Sequence, residues 1–210
     1  MNNSSVFDLD RRNKRSRYTT LPDVCYLDTS FVLSAIEGNS NKYSSSLCKD
    51  FITELTNAGS MMVVSPTVFE EVAHVIRRKC VQDAAGNQDM REKDIDLYIC
   101  HNPTVLTVIN QRVKQLWQIL ETICYRIDFH SDKAFLNEVI QVMSQFGLGV
   151  NDAKHIALCL REGINCIATD DGDFQKTDGF NIYTPNSKLV NTCATRANVY
   201  INQSSTFKTP

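Results

Sequence analysis

Short apolar runs alternate with longer stretches of helical spacing along most of the chain. Val24-Cys25-Tyr26-Leu27 reads as a buried strand that ends at Asp28. Thr29 or Ser30 can cap a helix over Phe31 to Glu37, which stops near Gly38. From Ser44 to Ala58, Leu47, Phe51, Ile52 and Leu55 fall on one helical face, and Gly59 ends the run. Met61 to Val64 is a second strand. Ser65-Pro66 then opens a helix, serine as the cap and proline at the first helical position. Its apolar positions are Val68, Phe69, Val72, Ala73 and Ile76. It closes at Arg77-Arg78-Lys79, where cations suit the helix dipole.

Residues 82–102 are polar and read as an exposed insertion, helical over Asp94 to Ile99. Thr104 to Arg126 carries Val105, Ile109, Val113, Leu116, Leu120 and Ile123 on one stripe, which predicts a long core-facing helix with Trp117 beside it. Ser131 and Asp132 open another through Phe135, Val139, Val142 and Met143 to Gly147. Asn151 is placed to cap a helix that begins at Asp152 and runs through Ile156, Ala157 and Leu160 to Gly163. Asn165 to Ala168 is a third strand and Phe180 to Tyr183 a fourth, closed by Thr184-Pro185. Strands alternating with helices predict a three-layer α/β/α sandwich around a central parallel sheet. The domain spans 23–185, between a basic, disordered arm at 1–22 and a polar tail at 186–210.

Composition narrows this picture only a little. At 210 residues, 42% hydrophobic and 22% charged, the chain can bury the core of one domain. A net charge of −2 neither demands nor excludes nucleic acid. The run from Arg11 to Arg17 is the one dense basic segment, read as a solvated arm ahead of a phosphate-binding one. No apolar segment follows it as in a secretory signal, and none approaches a membrane span. The eight cysteines include no Cys-x-x-Cys pair. They read as free core thiols in a reducing compartment, hence the cytoplasm, and not as a zinc site.

The chemistry lies in acids that these elements bring to one place. Asp28 and Asp171 follow strands, and in open parallel sheets the reactive crevice lies at the carboxyl ends of the strands. Asp152 sits in a helical first turn, and Glu71 lies on the helix after Ser65-Pro66. Clustered acids repel unless a cation joins them, and oxygen-only sites suit Mg²⁺ or Mn²⁺. Such ions polarise phosphates and acidify bound water. Two other metal readings fare worse. Glu71-x-x-His74 and Asp152-x-x-His155 match the di-iron spacing, but that chemistry belongs to four-helix bundles. Asp170-Asp171-Gly172-Asp173 lacks the twelfth-position acid of a calcium loop. His74 and His155 are therefore placed in the core or behind the ligands.

Taken in order, Asp28-Thr29-Ser30, Ser65-Pro66 to Glu71, Asp152-Ala153 and Thr169-Asp170-Asp171-Gly172-Asp173-Phe174 resemble the PIN-domain nucleases, including VapC-type toxins. The resemblance covers roughly Val24 to Pro185. It implies a divalent-metal-dependent endoribonuclease using Mg²⁺ or Mn²⁺. Asp28, Glu71, Asp152 and Asp171 match the catalytic, metal-binding acids, and Asp173 an additional metal-binding one. Glu71 is preferred to Glu70 by its spacing from Ser65, and Thr29 and Thr169 match hydroxyl positions near the metal. Asp170 stands where the family often has Asn and is expected to face solvent. RNA is the implied substrate, with an antitoxin protein and a homodimer as candidate partners and no membrane. The chain is longer than the smallest toxins. The alternative is a PIN-like scaffold that binds RNA or protein without cutting.

Overall fold

The computed structural model describes residues 5–10, 20–38 and 42–191. Among the described residues, six strands form a single, wholly parallel sheet: β1 (Ser5–Asp8), β2 (Val24–Leu27), β3 (Met61–Val64), β4 (Tyr125–Arg126), β5 (Cys166–Ala168) and β6 (Asn181–Thr184). The spatial order is β1-β6-β5-β2-β3-β4. Seven α-helices cover it in a three-layer α/β/α arrangement: α1 (Thr29–Ile36), α2 (Lys42–Ala58), α3 (Pro66–Ala85), α4 (Glu92–His101), α5 (Val105–Ile123), α6 (Lys133–Phe146) and α7 (Val150–Arg161). Strands buried on both faces read as continuous apolar runs, which is why β2, β3, β5 and β6 stand out in the sequence.

The edge strands do not stand out. Ser5–Asp8 falls in the stretch expected to be an arm, yet it pairs with β6 from Ser5↔Asn181 to Asp8↔Thr184. The basic run at 11–17 lies outside the described residues. Tyr125–Arg126 is expected at the end of the long helix but forms a strand. It leaves α5 after Ile123 and pairs with Val63 and Val64. At the other end, residues 187–191 form a helical turn that buries Leu189 and Val190, so the core continues past 185. Residues 192–210 lie outside the described residues.

The 82–102 insertion also differs from expectation. Helix α3 continues past Arg77-Arg78-Lys79 to Ala85 and ends on Gly86, whose left-handed φ of 65° suits glycine. The arginines therefore do not serve the helix dipole. Arg77 pairs with Glu92 and Asp96, and Arg78 with Glu92, tying α4 to α3. Ile95 of α4 is fully buried and Met90 nearly so, which makes this segment part of the core. Several expected core positions lie at the surface instead: Phe69, Leu160 and, in part, Trp117. Phe69 meets Trp117 edge-on at 4.9 Å, joining α3 to α5 outside the main core.

Candidate metal centre

Sheet order fixes where the acids meet. Strand β2 lies between β5 and β3, and the chain leaves it to build one side of the sheet first and the other last. The crevice at such a reversal collects whatever follows the two central strands. After β2 that is Asp28, whose backbone N–H donates to the Ala168 carbonyl at 3.0 Å. After β5 it is Thr169-Asp170-Asp171. Helix α3, entered directly from β3, adds Glu71, and the first turn of α7 adds Asp152.

Asp28, Glu71, Asp152 and Asp171 all line one cavity of about 540 Å³, with Thr29, Ser30, Thr67 and Asn151 among its other walls. Asp28 is 4% exposed and caps α1, its Oδ2 accepting from the Ser30 N–H. The cap is thus the acid itself and not Thr29 or Ser30. The Ser30 and Thr169 hydroxyls donate to the same oxygen at 2.7 and 2.9 Å, and Thr169 Oγ1 accepts from the Asp171 N–H at 2.9 Å. One hydroxyl therefore locks the two strand-end acids in register. Helix α7 starts two residues early, at Val150 with Gly149 as its cap, so Asn151 does not cap it. Asn151 instead hydrogen bonds Glu71.

The charges in this cavity are in conflict. Burial first, then the charges of Asp171 and Asp28, push the Asp152 carboxyl up to about 6. Glu71 goes the other way: burial raises it, but hydrogen bonds from His155, Thr29 and Asn151 hold it below the usual carboxylate range. The Glu71 Oε2 accepts from Thr29 Oγ1 at 2.5 Å and lies 3.1 Å from His155 Nε2. Glu70, its neighbour, is exposed and also lines the cavity.

Ligating atoms of Asp28, Glu71 and His155 lie within 4.8 Å of one another. An oxygen-rich cavity with a carboxyl raised by its neighbours' charge is one that a hard divalent cation would neutralise, so the donor set fits Mg²⁺ or Mn²⁺. Two expected residues behave differently. Asp173 is exposed, pairs with Lys176 at 2.7 Å, and is not brought to the cavity. Asp170 does not face solvent; it is half-buried beside Ser34, with Asn186 bonded to its carbonyl. His74 is in neither core nor site support, being exposed near Glu92 at the cavity rim. His155 is 1% exposed and stands behind the acids. Periodicity could place it on a buried helix face but not assign its partner. Tyr26 gave one overlooked signal, a hydroxyl inside a buried strand, which needs a hydrogen-bond partner.

Residues 25–180 match the PIN-domain family. No curated protein matches the sequence. Among solved structures, the chain is similar to VapBC2 from Rickettsia felis, crystallised with a DNA fragment from its promoter. The two share 17% identity over 76% of this chain and 96% of that one, with a TM-score of 0.47. It is similar to VapC20 of Mycobacterium tuberculosis, described as a Sarcin-Ricin loop cleaving toxin, at 14% identity over 71% and 92%, TM-score 0.41. PAE2754 from Pyrobaculum aerophilum gives 15% identity over 81% and 89%, TM-score 0.46.

Proposed function

The chain belongs to the PIN-domain family, and on that premise we propose that it is a divalent-metal-dependent endoribonuclease. The observation that carries this reading is the convergence of Asp28, Glu71, Asp152 and Asp171 on one cavity, with Asp152 held near 6 by burial and by its neighbours' charge. A catalytically silent scaffold would have no use for such mutual repulsion.

Asp28, Asp152 and Asp171 would hold the ion, which supplies charge neutralisation for a phosphodiester and acidification of water. Thr169 and Ser30 fix the Asp28 carboxylate, so its orientation does not wait on substrate. Glu71, kept ionised by its donors, accepts a hydrogen bond from the attacking water or holds a second ion. Attack forms one P–O bond as the bridging P–O bond breaks, and a proton passes to the leaving oxygen. RNA as substrate follows from the family resemblance, as do a VapC-type toxin role, an antitoxin partner and a homodimer. The seven cysteines among the described residues are all free, which supports a cytoplasmic setting. No described helix is long and apolar enough to cross a membrane.

The test is cleavage of a generic RNA by the purified chain with Mg²⁺ or Mn²⁺. Asp28→Asn removes a charge with little change of shape, and cleavage should slow at least about 100-fold, equivalent to about 2.7 kcal/mol in the barrier. Undiminished cleavage in excess EDTA after metal stripping would sink the reading.

A further inference from the structure

Behind the cavity a line of buried polar groups crosses from the sheet to the acids. Ser65, the last residue before α3, is fully buried, yet its hydroxyl makes no cap bond to its own helix. It meets the Tyr26 hydroxyl at 2.6 Å instead. That hydroxyl meets His155 Nδ1, also at 2.6 Å, and His155 Nε2 meets Glu71 Oε2 at 3.1 Å. Tyr26 is 0% and His155 1% exposed, so neither side chain can trade these partners for water.

The direction of the line follows from its end. An ionised carboxylate only accepts, so Nε2 donates to Glu71. Nδ1 is engaged by Tyr26. With both nitrogens occupied, His155 has no lone pair for a cation in this arrangement, although it lies within ligand distance of Asp28 and Glu71. Its alternative role is the outer support common at metal sites, where a fixed ring orients a ligand. The Thr29 hydroxyl adds a second donor to the same Oε2. With Asn151 also bonded to the carboxylate, a glutamate with three side-chain torsions is held in place.

We propose that Tyr26 and His155 are positioning residues that hold the Glu71 carboxylate for a divalent cation. The proposal rests on the metal-dependent reading above. It makes the core tyrosine of β2, two residues before Asp28 and outside the cavity lining, part of the site's machinery.

The experiment is calorimetric titration of the full chain with Mn²⁺, comparing the parent with Tyr26→Phe, His155→Gln, Glu71→Gln and the double variant Tyr26→Phe/Glu71→Gln. Tyr26→Phe removes one hydroxyl and keeps the ring. Its Mn²⁺ affinity should fall about tenfold, with His155→Gln falling at least as far. In the Glu71→Gln background the Tyr26 change should cost less than twofold, because its effect runs through Glu71. A purely structural role would lower the melting temperature in EDTA and leave affinity unchanged. Tyr26→Phe within twofold of the parent overturns the proposal, whether or not His155→Gln binds; loss with His155→Gln alone makes the ring a direct ligand. A full tenfold loss persisting in the Glu71→Gln background overturns it too. Failure of the parent itself to bind Mn²⁺ overturns the metal reading and this inference together, and shows in the first titration.

Discussion

Asp152 is where the electrostatic conflict of the cavity can be measured without any substrate. Its carboxyl is pushed up to about 6, by burial and by Asp171 and Asp28. A raised carboxyl pKa means the folded chain holds its proton longer than the unfolded one. Stability from this residue is therefore present below about pH 4 and is lost as pH rises toward 6. Asp152→Asn removes that loss. The side chain is partly exposed, so solvent screening trims the effect to about 1 kcal/mol at pH 7, or a few degrees in Tm for a chain of this size. In EDTA, Asp152→Asn should melt above the parent at pH 7, and the gap should close by pH 4. An equal melting temperature at pH 7 would show that the acids do not repel. Position in the sequence sets Asp28 and Asp171 after strands and Asp152 in a helical first turn, and the structure brings them to one cavity, whereas Glu71 was preferred to Glu70 only by the family's spacing from Ser65. Asp173 looked equivalent to Asp171 by type and spacing. Only the 3-10 turn at Gly172–Lys176 shows that it pairs with Lys176, outside the cavity lining. The Tyr26–His155 pair was illegible because 129 positions separate its members and each alone fits a buried element.

Among the elements, α4 departs furthest from its composition. Six of the ten residues Glu92–His101 are other than apolar aliphatic or aromatic, and the segment reads as solvated. Its one fully buried side chain, Ile95, anchors it, while the arginine pairs to α3 are partly exposed and individually worth at most about 1 kcal/mol. Ile95→Ala should therefore cost about 3 kcal/mol, as a cavity in a core does. A loss under about 0.5 kcal/mol in urea unfolding would return α4 to the status of a surface insertion. The long amphipathic helices were predictable because three or more turns of stripe outweigh any single residue. The edge strands were not: β1 (Ser-Val-Phe-Asp) and β4 (Tyr-Arg) include polar residues and lie partly exposed, so neither shows the continuous apolar run of a central strand. Arg77-Arg78-Lys79 imitated a helix end because cations favour last turns, and the true stop, Gly86, lies beyond it.

At the scale of the molecule, the parallel sheet and its flanking helices were legible because central strands are continuous apolar runs separated by helical spacing. The limits of the domain were not, since its outermost pieces are polar. Leu189 and Val190 are buried, and Asn186 donates to the Asp170 carbonyl beside the cavity while its own Oδ1 accepts from Lys188 and Leu189. Ending the chain after Pro185 should thus lower stability by about 2–4 kcal/mol. Chemical unfolding of that truncation beside a control ending after Asn191 measures it, and matching stabilities would put the boundary back at 185.

The sheet order also sets a schedule. Asp28 lies beside a strand whose neighbour on one side, β3, follows within forty residues or so, but Thr169, which locks its carboxylate, lies 141 positions later. Contacts so distant in sequence form late, and synthesis delivers the amino-terminal half first. A growing chain can pair β2 with β3 and seat Glu71 near Asp28 long before Asp152 and Asp171 leave the ribosome. The cavity is then half-walled and short of two of its four acids until β5 follows. On the nuclease reading proposed above, the growing chain would stay inert until β5 pairs with β2.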